Sequence, residues 1–277
     1  MKNPLLQGST TYSGYSYKVY NIVASNKVGK TATCHKVAKE LIKQGYDVIA
    51  LDCDLIKPGW TMYPGVPTQR ITKYEDLVRF MKIAKDNKKY SGKTLLIVDT
   101  MTELAKTFWE SEIIPRYGSD IFKKIKKIGP HGATEIQALD LYTSMMSEFL
   151  HDCMECFGFV LTTSHIDEKM MAVGGETWVK AGLDYKFTRI KTMVLSMTDA
   201  NILMTQNKNS EVPFVNKNQK GIDHYGMGMR YNPLLRKVTN GTELMNHLIK
   251  FIPSMLDGKE YEPTAEEVKE TPIDVEF

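Results

Sequence analysis

The sequence predicts an α/β protein: a mostly parallel sheet with helices on both faces. Two observations predict it. Short apolar segments alternate with amphipathic, helix-length segments along most of the chain, the pattern of strand–helix crossover units. Two of those apolar segments also end in chemistry: the first runs into a Gly-Lys-Thr turn and the run Leu95-Leu96-Ile97-Val98 ends in Asp99.

Taken in order, residues 17–23 are β-branched and aromatic enough for a buried strand. A helix over 31–44 follows, with Cys34, Val37, Ala38, Leu41 and Ile42 on one face and Gly45 as its stop. Residues 48–51 are a short strand. Leu77, Val78, Met81 and Ala84 mark the inward face of another helix. Residues 95–98 are apolar throughout, as in a strand covered on both faces. A long helix over 134–153 turns Ile136, Leu139, Tyr142, Met146, Phe149 and Leu150 inward, and 157–162 is the next strand. Residues 193–197 and 201–205 are expected to be strands, and 242–252 a closing helix. No internal repeat is present.

The 277 residues contain 42% hydrophobic and 25% charged side chains, enough for a single large domain with a substantial core. The organisation expected is a polar segment over 1–16, one folded domain over 17–256 and an acidic tail over 257–277. Asp257, Glu260, Glu262, Glu266, Glu267, Glu270, Asp274 and Glu276 face only Lys259 and Lys269 there, so the body before the tail is basic although the net charge is only +3. Such a body is common in proteins that meet nucleic acid. Few aromatics, dense charge, Pro263 and Pro272 predict a disordered tail. No apolar run reaches the length of a membrane span, segment 1–16 lacks a signal-peptide core, and the four cysteines show no disulfide framework. A cytoplasmic location is expected.

The chemistry concentrates at strand ends. Ala24-Ser25-Asn26-Lys27-Val28-Gly29-Lys30-Thr31 matches the phosphate-binding loop G-x-x-x-x-G-K-[ST], with Ala24 in place of the first glycine. In that loop, backbone N–H groups from Ser25 to Ala32 wrap phosphates at a helix N-terminus. Lys30 reaches the β- and γ-phosphates, and the Thr31 hydroxyl ligates Mg²⁺. ATP and Mg²⁺ are therefore the expected cofactors. Asp99 would hold the same metal through water. The second strand ends in Asp52-Cys53-Asp54. One of these acids can orient and deprotonate the attacking water; Asp54 is the first choice and Asp52 the second. Alternatively one of them caps the turn at Pro58-Gly59. Trp60 could stack on adenine or simply pack in the core. His165, after the strand segment Phe159 to Ser164, is either a sensor of the γ-phosphate or a strand-end cap.

These motifs resemble the RecA-like recombination ATPases and are most similar to the small phage-type members that work beside single-strand annealing proteins. The resemblance spans residues 17–209. It rests on the loop Ala24 to Thr31, on Asp52 and Asp54, on Pro58-Gly59-Trp60, on Val98-Asp99-Thr100, and on Thr162-Thr163-Ser164-His165-Ile166-Asp167-Glu168-Lys169. It implies a RecA-like core with ATP hydrolysis stimulated by single-stranded DNA. It implies Asp54 as base, where the family usually has glutamate, and His165 as the polar sensor. It also implies an aromatic on the adenine, which points to Trp60, and a DNA-contacting loop over 166–189 with Lys169, Trp178, Lys180, Lys186, Arg189 and the pair Gly174-Gly175. Lys208 and Arg189 are candidates for a cation reaching a neighbour's γ-phosphate. Partners implied are single-stranded DNA, a single-strand annealing or single-strand-binding protein, and further copies of the chain; a phage-encoded chain would act in the host cytoplasm. The terminal Ile273-Asp274-Val275-Glu276-Phe277 loosely resembles the acidic tips of single-strand-binding proteins.

Two other readings stand beside this one. Partition-type and bacterial tyrosine-kinase ATPases share the Gly-Lys-Thr helix, but their early loop lysine is replaced here by Ser25, and the gap from Asp54 to Asp99 is short for them. A mediator that binds ATP without turnover would differ in how Asp54 is placed. The basic run Lys123-Lys124-Ile125-Lys126-Lys127 is either a nucleic-acid patch or an exposed helix face, and Cys153-Met154-Glu155-Cys156 fits a helix end better than a metal site.

Overall fold

A computed structural model describes residues 18–54, 59–127, 129–173, 176–205, 214–215, 222–223 and 238–259. The expected polar segment over 1–16, the expected tail from residue 260 onward, Pro58, Gly174, Gly175 and Lys208 lie outside the described residues, as do the side chains of Lys169, Trp178 and Lys180.

The described elements follow the chain as β1 (Val19–Ala24), α1 (Lys30–Lys43), β2 (Asp47–Asp52), β3 (Thr68–Arg70), α2 (Tyr74–Asp86), α3 (Lys88–Ser91), β4 (Thr94–Asp99) and α4 (Met101–Phe108). They continue with a π-turn (Trp109–Ile113), α5 (Ile114–Tyr117), α6 (Ile121–Lys126), α7 (Ala133–Cys156), β5 (Phe159–Val173), β6 (Glu176–Leu183), α8 (Thr188–Met197), β7 (Ala200–Thr205), β8 (Phe214–Val215), β9 (Ile222–Asp223) and α9 (Gly241–Leu256). The sheet order is β3-β2-β4-β5-β1-β7-β8. From β3 through β7 every neighbouring pair is parallel. The fold class predicted from the sequence is the one observed.

The strands bury both faces, and their alternation sorts side chains between two cores. Val19 and Val23 of β1, with Leu96 and Val98 of β4, join the core beneath α2, α4, α7 and α8. Tyr20, Ile22, Leu95 and Ile97 point the other way, into the core beneath α1 and α9. Because the strands run in parallel, Ala24, Asp52, Asp99 and His165 all arrive at the same edge, where ligands bind in sheets of this kind. Among the described residues no helix is long and apolar enough to cross a membrane.

Three expectations need correction. Residues 193–197 belong to helix α8, because Ile190 and Val194 are buried one turn apart, and an apolar run this short does not itself separate helix from strand. The segment after the sensor strand is an antiparallel hairpin, not a loop, with Ile166 paired to Leu183 and Val173 to Glu176. Val78 and Ile136 are about half exposed: the buried stripe of α2 is Leu77, Met81 and Ala84, and Ile136 lies before the stripe that starts at Ala138 in α7. For the basic run over 123–127 the helix-face reading fits. Lys123, Lys124 and Lys126 stand on α6, which buries Ile121 and Ile125.

Candidate nucleotide-binding site

The loop between β1 and α1 is shaped by its glycine and closed by its lysine. Gly29 is the N-cap of α1 at φ 101°, in the left-handed region that a side chain disfavours. Apart from the adjoining residues of the chain, no atom lies within 4 Å of where a Cβ would sit, so it is the backbone conformation that demands glycine there, and the space above it is open. Ala24, replacing the usual first glycine, buries its methyl in the core under α1. Its carbonyl is used: Lys30 Nζ donates to Ala24 O at 2.8 Å and to Ser25 O at 3.0 Å. Burial lowers the Lys30 pKa to about 8, with Asp99 opposing the shift, so the ammonium stays charged at neutral pH.

Asp99 is the hub of the site. It is 4% exposed and accepts from Thr31 Oγ1 at 2.6 Å, from Trp60 Nε1 at 3.0 Å and from Thr163 Oγ1. Thr31 and Asp99 thus bring together the hydroxyl and carboxylate oxygens that a hard divalent cation takes. Replacing Asp99 with alanine strands buried donors on Trp60 and Thr163, and should cost about 2–4 kcal/mol of stability. Denaturant unfolding reads that cost directly; an unchanged midpoint would contradict the hub role.

The expectation that Trp60 stacks on adenine is corrected by its burial. It is 3% exposed in the core under α1, and its indole N–H is committed to Asp99, so its ring has no face open to a ligand. Packing, the alternative reading, describes it. Tyr63, a few residues on, lines the cavity instead.

Asp52 is 2% exposed and accepts from the backbone N–H groups of Asp54 and Trp60 at 3.3 and 3.4 Å; burial raises its carboxyl pKa. Asp54 is half-buried on the cavity wall. His165 places Nδ1 3.1 Å from Lys30 Nζ, while its backbone N–H donates to Thr102 Oγ1 at 2.8 Å. Burial first, and the Lys30 charge second, lower the His165 pKa to about 4. The imidazole is therefore neutral at pH 7. Nδ1 then accepts from the ammonium and Nε2 carries the proton.

Asn26, Lys27, Gly29, Lys30, Thr31 and Ala32 meet Asp52, Asp54, Asp99 and His165 around one cavity of 560 Å³. Ser25 joins through its carbonyl, and Val28 is buried beneath the loop. Thr163, Glu103 and Lys106 also belong to the site and were missed from sequence. For Glu103 a signal existed: Thr100 caps α4 by accepting from Glu103 N at 3.1 Å, a pattern legible as Thr-x-x-Glu. Of the basic residues expected on a DNA loop, Lys186 stacks its ammonium over Trp109 and Phe122, and Arg189 pairs with Asp140. Cys153 and Cys156 are both buried at the end of α7.

No protein-family model and no curated protein matches the chain. Solved structures with similar coordinates include a KaiC-like protein from the hyperthermophilic archaeon Pyrococcus horikoshii OT3, at 11% identity and TM-score 0.37, over 72% of this chain and 77% of that one. A second solved structure, an isolated ATPase domain, overlaps at 14% identity and TM-score 0.41, over 75% of this chain and 80% of that one. B204, the DNA-packaging ATPase from Sulfolobus Turreted Icosahedral Virus, overlaps at 12% identity and TM-score 0.33, over 69% and 77%.

Proposed function

We propose that this chain binds Mg-ATP at the 24–31 loop and hydrolyses it in a cycle coupled to single-stranded DNA, in recombination or annealing. One observation carries the nucleotide reading: Lys30, Thr31, Asp99 and His165 converge at one sheet edge, beside an open left-handed glycine. The residues fit a nucleoside triphosphate and a divalent cation. Loop amides and Lys30 hold phosphates, and Thr31 with Asp99 takes the cation, which when bound supplies positive charge against the phosphate oxygens. Asp54 accepts the proton of the attacking water. His165, neutral and bonded to Lys30, feels any movement of that ammonium toward phosphate.

The DNA reading is supported by continuity of the chain. β5 runs without a break from Thr163 and His165 into the hairpin, so a shift at the site can travel along one strand. The hairpin sequence includes Lys169, Trp178 and Lys180, residue types that track phosphates and stack on bases. Action as an oligomer, beside an annealing or single-strand-binding protein, belongs to the same reading.

The test is ATP turnover with and without single-stranded DNA. DNA should raise the rate, and its binding constant should fall with salt, by about 0.7 log units per log unit of salt for each phosphate neutralised. Turnover indifferent to DNA, with salt-independent behaviour, would favour the partition-type or kinase-type reading.

A further inference from the structure

α4 begins directly after the β4 strand end and turns Glu103 and Lys106 into the same cavity as Lys30 and His165. The two side chains are ion-paired three residues apart, and the Lys106 side chain is 41% exposed. The charge on the cavity wall is unbalanced. Asp52, Asp54, Asp99 and Glu103 supply carboxylates, against Lys27, Lys30 and Lys106. A nucleoside triphosphate carries more negative charge than a divalent cation on Thr31 and Asp99 offsets, and Lys27, Lys30 and Lys106 are the lysines of this wall that can turn to the remainder. Lys30 sits at the loop itself. Lys106 enters from α4, on a long side chain whose present partner, Glu103, is 14% exposed and stands one turn away on the same helix, and neighbouring ion pairs along one helix contribute little.

Resting on the nucleotide reading above, we propose that Lys106 is a second phosphate-binding cation of this site, turning from Glu103 to the terminal phosphate of the bound triphosphate. Lys106 then distinguishes triphosphate from diphosphate, because only the triphosphate carries the group it reaches. Glu103 is its resting place when that phosphate is absent.

The experiment is a calorimetric titration of the full chain with the non-hydrolysable β,γ-imido analogue of ATP and, separately, with ADP, both with Mg²⁺. Lys106→Met should weaken the triphosphate about 10-fold or more while ADP stays within about 2-fold, the effect of losing one charge-assisted contact. Lys106→Arg should recover most of the loss. Glu103→Gln, which frees Lys106 and removes a negative charge, should leave the triphosphate bound as tightly or more tightly. Equal losses for both nucleotides, no change in Lys106→Met, or a matching loss in Glu103→Gln would overturn the proposal in favour of a helix-stabilising pair. Lys30→Ala is run alongside: if it binds both nucleotides like the wild type, the nucleotide reading has failed, and not only the role of Lys106.

Discussion

Lys30→Ala is expected to abolish measurable ATP binding and turnover while the protein stays folded. The ammonium is held by Ala24 O, Ser25 O and His165 Nδ1, none of which carries a compensating full charge in the neutral-histidine state. It is therefore poised for an anion and does not serve as half of a structural ion pair. Two charge-assisted contacts to phosphate are worth about 3–6 kcal/mol, or about 10²- to 10⁴-fold in affinity. The folded state loses much less. Burial already disfavours the charged form of this lysine, which is why its pKa falls to about 8, so removing the charge also removes a desolvation cost. Nucleotide titration and a thermal melt of the same sample separate the two effects. Wild-type hydrolysis in the variant would remove the basis for the phosphate-loop assignment.

The loop was legible because its chemistry is contiguous: strand, turn and helix N-terminus follow one another directly, and the glycine and lysine each answer a local physical demand. The strand ends were legible for a similar reason. An apolar run followed by an acid places that acid at the sheet edge wherever the strand sits. The partners of Asp99 were not legible. Thr163 is 64 residues away and Trp60 is 39, and only the strand order brings them to one carboxylate. Trp60 was read toward the ligand because sequence shows an indole near the site but not which way its N–H points. α4 was missed because it starts immediately after the Asp99 strand without a loop, and with it went the Glu103–Lys106 pair. The same limit holds for the polar residues inside the sheet. Asn21 Nδ2 donates to Asn201 Oδ1 at 3.0 Å, and Thr162 and Ser164 both donate to Asn21 Oδ1. Each looks out of place in its own strand and is satisfied only across three.

Asp54→Asn is expected to leave ATP affinity within about 3-fold of the wild type and to lower the hydrolysis rate by about 10²- to 10⁴-fold, the usual range for removing a general base. The amide keeps the size of the side chain and no phosphate contact is lost, so binding has no reason to fail. Asp52→Asn provides the contrast. Asp52 is buried at the end of β2, and its oxygens receive the N–H groups of Asp54 and Trp60, so it fixes the turn that carries the base and the indole. Its amide keeps one acceptor and brings in a donor that meets a backbone N–H, which should cost about 1–3 kcal/mol of stability. Single-turnover hydrolysis, nucleotide titration and an unfolding curve on both variants sort the roles. If Asp52→Asn keeps its stability and its affinity but loses turnover, while Asp54→Asn keeps turnover, the base is Asp52, and Asp54 only shapes the cavity wall.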